Sequence, residues 1–382
     1  MAARVWTGLA AALLYIGLAL ASGLDRAVPD RPDLARWIPQ SLQAQSLTAE
    51  ARRYVAVGIP ASALGPARLA VARDPANPAT AAVLGAALLA VRRPAEAGAA
   101  FRIAALGGWR DVLTQVYWMQ AALGVGDTKA AVVRFDALAR QYPGAPAVAA
   151  AAGLLEASPE GRTALARQLA GGANWANSYA AFESSAPPER MHNRAEVLIA
   201  TAAFGRVLGC AAVAPAVGAL AESDALTAAR LWRAHCPEAR GEDTLSDGAM
   251  IRQGAPRVPF DWDYPGHGDI ESGVVAERGR GFVRSFRSTS AAPLPVAAQL
   301  VPLAPGAWRV SWRGTGPEGA TLSCRRDVSA PSEWPVRSDN ADQSRSRVFA
   351  VGNDCRAQWL QLWIAPGPGE ARFTAVRVEA VR

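Results

Sequence analysis

Two tryptophans flank a glutamine at alternate positions in the stretch Trp359-Leu-Gln-Leu-Trp363. On an extended strand, Trp359, Gln361 and Trp363 share one face, while Leu360, Leu362 and Ile364 share the other. Flat aromatic faces beside an amide can stack on the apolar faces of pyranose rings and bond their hydroxyls, so these three residues are glycan-binding candidates. The competing assignment is that the second face is also covered, by a loop or by helices. A second constellation, Asp261, Asp263, Asp269 and Glu271, gathers oxygen donors within eleven residues. Such donors suit a structural calcium, but the spacing is not that of an EF-hand, and solvated loop acids are the plainer reading. The four cysteines, Cys210, Cys236, Cys324 and Cys355, form no C-x-x-C, and His192, His235 and His267 are scattered, which argues against zinc. Falling two and two into separate regions, the cysteines suit disulfides Cys210–Cys236 and Cys324–Cys355 in an oxidising compartment; the alternative is four buried thiols. Gly-x-Ser-x-Gly, Walker and His-Glu-x-x-His motifs are absent from the sequence. The expectation is a non-enzymatic chain without metal or cofactor.

The elements that would carry the tryptophans lie at 258–382, where the apolar period turns to two. Phe282–Phe286, Trp308–Trp312, Leu322–Cys324, Trp359–Ile364 and Phe373–Val381 read as strands, separated by turns such as Ala304-Pro-Gly306 and Pro366-Gly-Pro-Gly369. Seven to nine short strands over about 125 residues point to an antiparallel sandwich. The run Gln299-Leu-Val-Pro-Leu-Ala-Pro-Gly-Ala-Trp-Arg-Val-Ser-Trp312 resembles carbohydrate-binding jelly rolls, in which a strand of this kind leads through Pro-Gly into an aromatic-rich strand. The resemblance covers about a third of the chain and implies the fold more firmly than it implies sugar binding. Residues 237–257, rich in Gly, Asp, Ser and Pro, read as a linker.

Upstream the period is helical and repeats. Gly85, Ala97, Phe101 and Ala104 recur 34 residues later as Met119, Ala131, Phe135 and Leu138, while Ala63, Ala67 and Ala70 fall one period earlier. This pattern resembles the tetratricopeptide repeat (TPR), which implies stacked helical pairs forming a protein-binding solenoid over 47–171. Gly85, Ala97, Phe101, Ala131 and Phe135 are its expected core. The fourth unit, from Pro146, is cut short at Ser158-Pro-Glu160. Residues 172–236 continue the helices and cap the array, with Pro215 expected at a first helical position.

From Val5 to Leu24 no residue is charged, enough to cross a bilayer as one helix. An uncleaved anchor over 1–24 is favoured over a signal peptide cut after Ala19-Leu-Ala21, because the apolar run is long. Residues 25–46, with Pro29, Pro32 and Pro39, read as an extended stalk. Arg26, Arg31 and Arg36 after the helix oppose export by the positive-inside rule; the cysteine pairing favours it. The net charge of +7 is spread without a block, so nucleic acid is not an expected partner. Of the 40 basic residues only Lys129 is lysine, a GC-rich bacterial signature. Together these readings describe an α + β multidomain protein of the bacterial inner membrane, its bulk periplasmic. Its expected partners are other envelope proteins and, through the sandwich, a polysaccharide under assembly or export. A pure protein–protein adaptor and a polysaccharide-modifying enzyme are the alternatives.

Overall fold

The 34-residue step of the sequence is a step between helices. In the computed structural model α2 (Ala44–Ala56), α4 (Pro78–Ala90), α6 (Val112–Gly124) and α8 (Pro146–Glu156) begin at a constant interval of 34 residues. Their partners α3 (Pro60–Arg73), α5 (Pro94–Leu106) and α7 (Thr128–Gln141) keep the same interval, and α9 (Pro159–Ala170) starts three residues early. Ser158 accounts for that start, since its hydroxyl accepts the Gly161 N–H at the helix N-terminus. The structure describes residues 2–181, 186–237, 245–252, 258–266, 268–277, 281–316, 318–332, 334, 343–353 and 355–381. His267 lies outside these. Two units, Met1–Ala152 and Gly153–Arg382, are each described by themselves.

Equivalent positions of the repeat do equivalent work. Ala63, Ala97 and Ala131 have no exposed surface, and the next turn places Ala67, Phe101 and Phe135 in the core. Small residues permit this closeness: a Cβ on Gly85 would lie 2.8 Å from two Phe101 ring carbons. Tyr117 of α6 then stacks on the Phe101 ring at 4.1 Å, joining one pair to the next. The turn between the helices of each pair repeats as well. Val57, Val91 and Val125 end the first helices, and Gly58, Arg92 and Gly126 follow with φ of 77°, 61° and 77°. Asn77 and Asp111, one period apart, cap α4 and α6 through their side-chain oxygens.

The segment 25–46 is folded, which corrects the extended stalk. α1 (Ala2–Ala27) runs past the apolar stretch, and short 3-10 turns follow at Pro32–Trp37 and Gln40–Leu42. An extended chain of this length would span about 70 Å; instead its end returns to its beginning. The buried Asp25 carboxylate accepts the Gln45 N–H at 2.7 Å, and the Ser46 N–H and hydroxyl at 3.0 and 2.7 Å. Asp25 thus fills the N-terminal capping role of α2 from 20 residues away.

In the second unit α10 (Ala176–Ala180), α11 (Pro188–Ala203), α12 (Cys210–Ala221) and α13 (Ala225–His235) precede eight strands. Pro215 sits inside α12 rather than at its start, a second correction; Cys210 sets the start instead. The strands are β1 (Ile270–Glu277), β2 (Gly281–Ser288), β3 (Leu294–Val301), β4 (Gly306–Thr315), β5 (Glu318–Ser323), β6 (Gln343–Val351), β7 (Gln358–Ile364) and β8 (Gly369–Ala380). They form antiparallel sheets ordered β1-β2-β8-β4-β6 and β3-β7-β5. Phe286, Val310, Leu360, Leu362, Phe373 and Val378 fill the space between them. Of the expected linker, the described stretch 245–252 packs into this core. Leu245 and Met250 are buried in it, and the Val376 N–H donates to the Gly248 carbonyl. That bond sits at a kink in β8, where Ala375 takes φ of 51°.

Two substitutions test the repeat register. Gly85→Ala forces a methyl into the Phe101 ring and should cost about 1–3 kcal/mol in denaturant titration. Arg92→Gly relieves a left-handed residue that its counterparts meet with glycine. It should gain about 0.5–1 kcal/mol, the left-handed penalty less the added chain entropy.

Candidate functional site

β7 is the middle strand of its sheet, and the structure covers both of its faces. Trp363 is 5% exposed and Gln361 4%; Trp359 is half-buried. The expected platform of two open tryptophans flanking a glutamine is therefore corrected. The Trp363 indole N–H donates to the Thr321 hydroxyl at 2.9 Å on neighbouring β5. Gly319, directly opposite Trp363, faces Pro331 and Trp334: a Cβ there would lie 3.1 and 3.5 Å from them. The chain leaving β5 thus folds back over the face that would receive a sugar. Over Trp359 lies Arg326, its guanidinium carbon 4.8 Å from the ring centroid, and Arg326 is in turn paired with Asp263.

One of the two disulfides lies at the start of this cover. Cys324, one residue past β5, is bonded to Cys355 just before β7, with Cα atoms 5.6 Å apart. The Gln358 amide reinforces the corner, donating to the Cys355 carbonyl at 2.8 Å and accepting from Leu303 N–H at 3.0 Å. Cys210 and Cys236 are joined with Cα atoms 4.6 Å apart, clamping the start of α12 to the end of α13. In the chain-entropy description, closing a loop of this length contributes about 3 kcal/mol. His235 is a core residue beside that bridge. Its Nε2–H donates to the Leu198 carbonyl at 2.8 Å and its Nδ1 accepts the Leu208 N–H at 3.1 Å. The network assigns this tautomer.

The acidic quartet does not converge. Asp261 pairs with Arg252 at 3.0 Å, Asp263 with Arg326, and Glu271 with Arg287 at 3.6 Å. Asp269 bonds through its backbone carbonyl to Thr289 N–H. Among the described residues no group of three or more His, Cys, Asp or Glu is placed to hold a metal ion. Burial raises the Asp261 carboxyl above its usual range, with Arg252 opposing.

Besides Asp25, two buried carboxylates escaped the sequence. Glu156 of α8, 1% exposed, accepts from the Tyr179 hydroxyl and from Arg194 Nε, each at 2.8 Å. Burial, and then the Glu156 charge, push the Tyr179 hydroxyl well up. Glu318 opens β5 with no exposed surface, 3.3 Å from Arg345 on β6. Burial pushes its carboxyl up to about 7, with Arg345 pulling the other way. This pair links the edge of one sheet to the edge of the other. Nothing in Gly316-Pro-Glu-Gly319 distinguishes that glutamate from a turn acid.

No protein-family model matches the sequence, and no curated protein sequence does. Among solved structures, the enzymatically active domain of tailspike protein 4 from bacteriophage CBA120 matches over 36% of this chain at 11% identity, with a TM-score of 0.29. The match spans 21% of that chain's length. A likeness of that size defines neither activity nor fold.

Glu318 gives the sandwich a pH dependence. Below pH 4.5 its carboxyl is protonated in both states; between 4.5 and about 7 the folded chain keeps a proton that the unfolded chain has lost. The stability this proton supplies is therefore present below 4.5 and is lost as pH rises through 7. The loss is on the order of 3 kcal/mol by linkage. Glu318→Gln should flatten that slope when the melting of the sandwich is followed between pH 4.5 and 7.5, and an unchanged slope would assign the dependence elsewhere.

Proposed function

We propose that the chain is a single-pass protein of the bacterial inner membrane whose TPR-like array and jelly-roll-like sandwich form a periplasmic scaffold. Its array would receive other envelope proteins, in the assembly or export of a surface polysaccharide. The observation that carries the reading is the closure of all four cysteines into two bridges within Gly153–Arg382, which suits an oxidising compartment. α1 supplies the anchor: Gly8–Ala27 has a mean hydropathy of 1.6 and is almost wholly uncovered. The length of the apolar run favours an uncleaved anchor over a leader peptide cut after Ala19-Leu-Ala21.

Glycan binding by the sandwich is a second reading, and one observation moves it to a different face. On β4, Trp308, Val310 and Trp312 point to the core, so Arg309, Ser311 and Arg313 point outward. Opposite them stand Val348, Ser346 and Ser344 of β6, and on β8 Glu379, Arg377 and Thr374. Exposed Arg309, Arg313 and Arg377, set among hydroxyls with one carboxylate, Glu379, suit an acidic glycan better than a neutral one.

Two experiments test these readings. A carboxyl-terminal alkaline phosphatase fusion should be active, and mass spectrometry of non-reduced peptides should recover both bridges. Free thiols, or an inactive fusion, would remove the periplasmic placement. Arg309→Ala/Arg313→Ala in the full chain should lose retention on an acidic polysaccharide gel without change on a neutral one. Equal retention of parent and variant would end the glycan reading and leave the pure adaptor.

A further inference from the structure

The end of α1 and the folded segment after it present a surface with a definite chemistry. Trp37, in the 3-10 turn Pro32–Trp37, is 68% exposed, while its neighbour Ile38 is buried. The Arg36 guanidinium carbon lies 5.3 Å from the Trp37 ring centroid, and Arg26 and Arg31 are exposed nearby in sequence. The turn is held in place: Gln43 Nε2 donates to the Ala35 carbonyl at 3.0 Å and to that of Ile38 at 2.8 Å. Asp25 fastens the end of α1 to the start of α2 through Gln45 and Ser46. An exposed indole on a fixed turn, one residue from a buried isoleucine, is therefore a presented side chain.

The register of α1 says what it is presented to. Trp6, 70% exposed, stands near the other end of the same helix. At 1.5 Å per residue, Trp6 and Asp25 are about 29 Å apart, close to the roughly 30 Å of a hydrocarbon core. With Trp6 at one interface, Asp25 and its fastened turn arrive at the other, where amphipathic indoles and snorkelling arginines are at home.

We infer that Trp37, with Arg36 beside it, seats in the lipid headgroup layer as a collar around the end of α1, so that the bilayer and the Asp25 lock together hold the helical array at the membrane surface. This rests on the membrane placement of α1 proposed above. A lipid surface is the occupant because the patch is continuous with a helix already suited to lipid. It also combines an indole with arginines, the pairing that interfaces favour and that a dry protein–protein core does not require.

The test uses the full chain in phosphatidylcholine–phosphatidylglycerol vesicles. Both native cysteine pairs are closed, so Trp37→Cys offers one thiol for a nitroxide. Power saturation should place that label at headgroup depth, with restricted motion and lost access to a water-soluble nickel chelate. The same label at Val125→Cys, 82% exposed in the array, should be fully accessible. Asp25→Ala should make the label at 37 as mobile as the one at 125 without releasing the chain from carbonate-washed vesicles. Ser46→Ala, which removes only one of the lock's three bonds, should lie between. A label at 37 as water-accessible as that at 125, on a chain that resists carbonate, overturns the collar alone. An Asp25→Ala label that stays immobile overturns the lock. Release by carbonate overturns the membrane reading and the collar with it.

Discussion

Close approach of helix backbones is the constraint on which the array depends. A pair of helices is too thin to bury its own apolar face, so each must pack against the next. Here that packing is made largely by alanine. Ala51, Ala63, Ala67 and Ala87 form one buried cluster with Val83, and Tyr54, Val55, Leu64, Leu84 and Leu113 pack against it half-buried. Alanine loses no rotamer freedom on burial and favours helix, but it brings little apolar area per residue. A large ring can enter where a small partner makes room. Phe101 does so against Gly85, and Tyr117 completes the site by stacking on it. The alanine-rich composition and the scarcity of large core residues are two sides of one solution.

How much of this was legible depended on redundancy. The 34-residue period is written several times, so errors in one unit are corrected by the next, and helix starts at 44, 78, 112 and 146 follow it closely. Even so, the turn series Val57-Gly58, Val91-Arg92 and Val125-Gly126 went unread, because an arginine in the left-handed position hides the glycine signal. Strands were legible from period two, but their covering was not. Alternation says that Trp359, Gln361 and Trp363 share a face; it is silent on Pro331 and Trp334, which belong to an irregular segment whose path no periodicity encodes. The same blindness made 245–252 look like a linker. Its Gly and Asp content suits a loop, and only the fold shows Leu245 and Met250 inside the sandwich.

The residues that sequence reasoning missed outright are buried charges, and they share a position in the architecture. Asp25 joins α1 to α2, Glu156 joins α8 to α10 and α11, and Glu318 joins one sheet to the other. None sits in the middle of an element. A buried carboxylate is expensive unless its partners are in place, and the cost of losing one partner exceeds the net worth of the pair. Such a group discriminates sharply between the correct junction and a slightly displaced one, which apolar contacts do poorly because they tolerate sliding.

Alanine-rich helices keep a single arrangement by the same means. Smooth, small side chains offer few knobs to fix the rotation or offset of one helix against another. The junctions where an error would propagate are those at the ends of the array and between the sheets. At these places the chain uses directional bonds to a charge: three to Asp25 and two to one oxygen of Glu156. Within the array, where the repeat itself supplies the register, apolar contact and helix caps suffice. The Glu156 carboxylate is buried at the last residue of α8, so a displaced partner would leave a charge without its bonds. Its two satisfied bonds fix the positions of α10 and α11 relative to α8, and specificity of arrangement is the property those bonds supply.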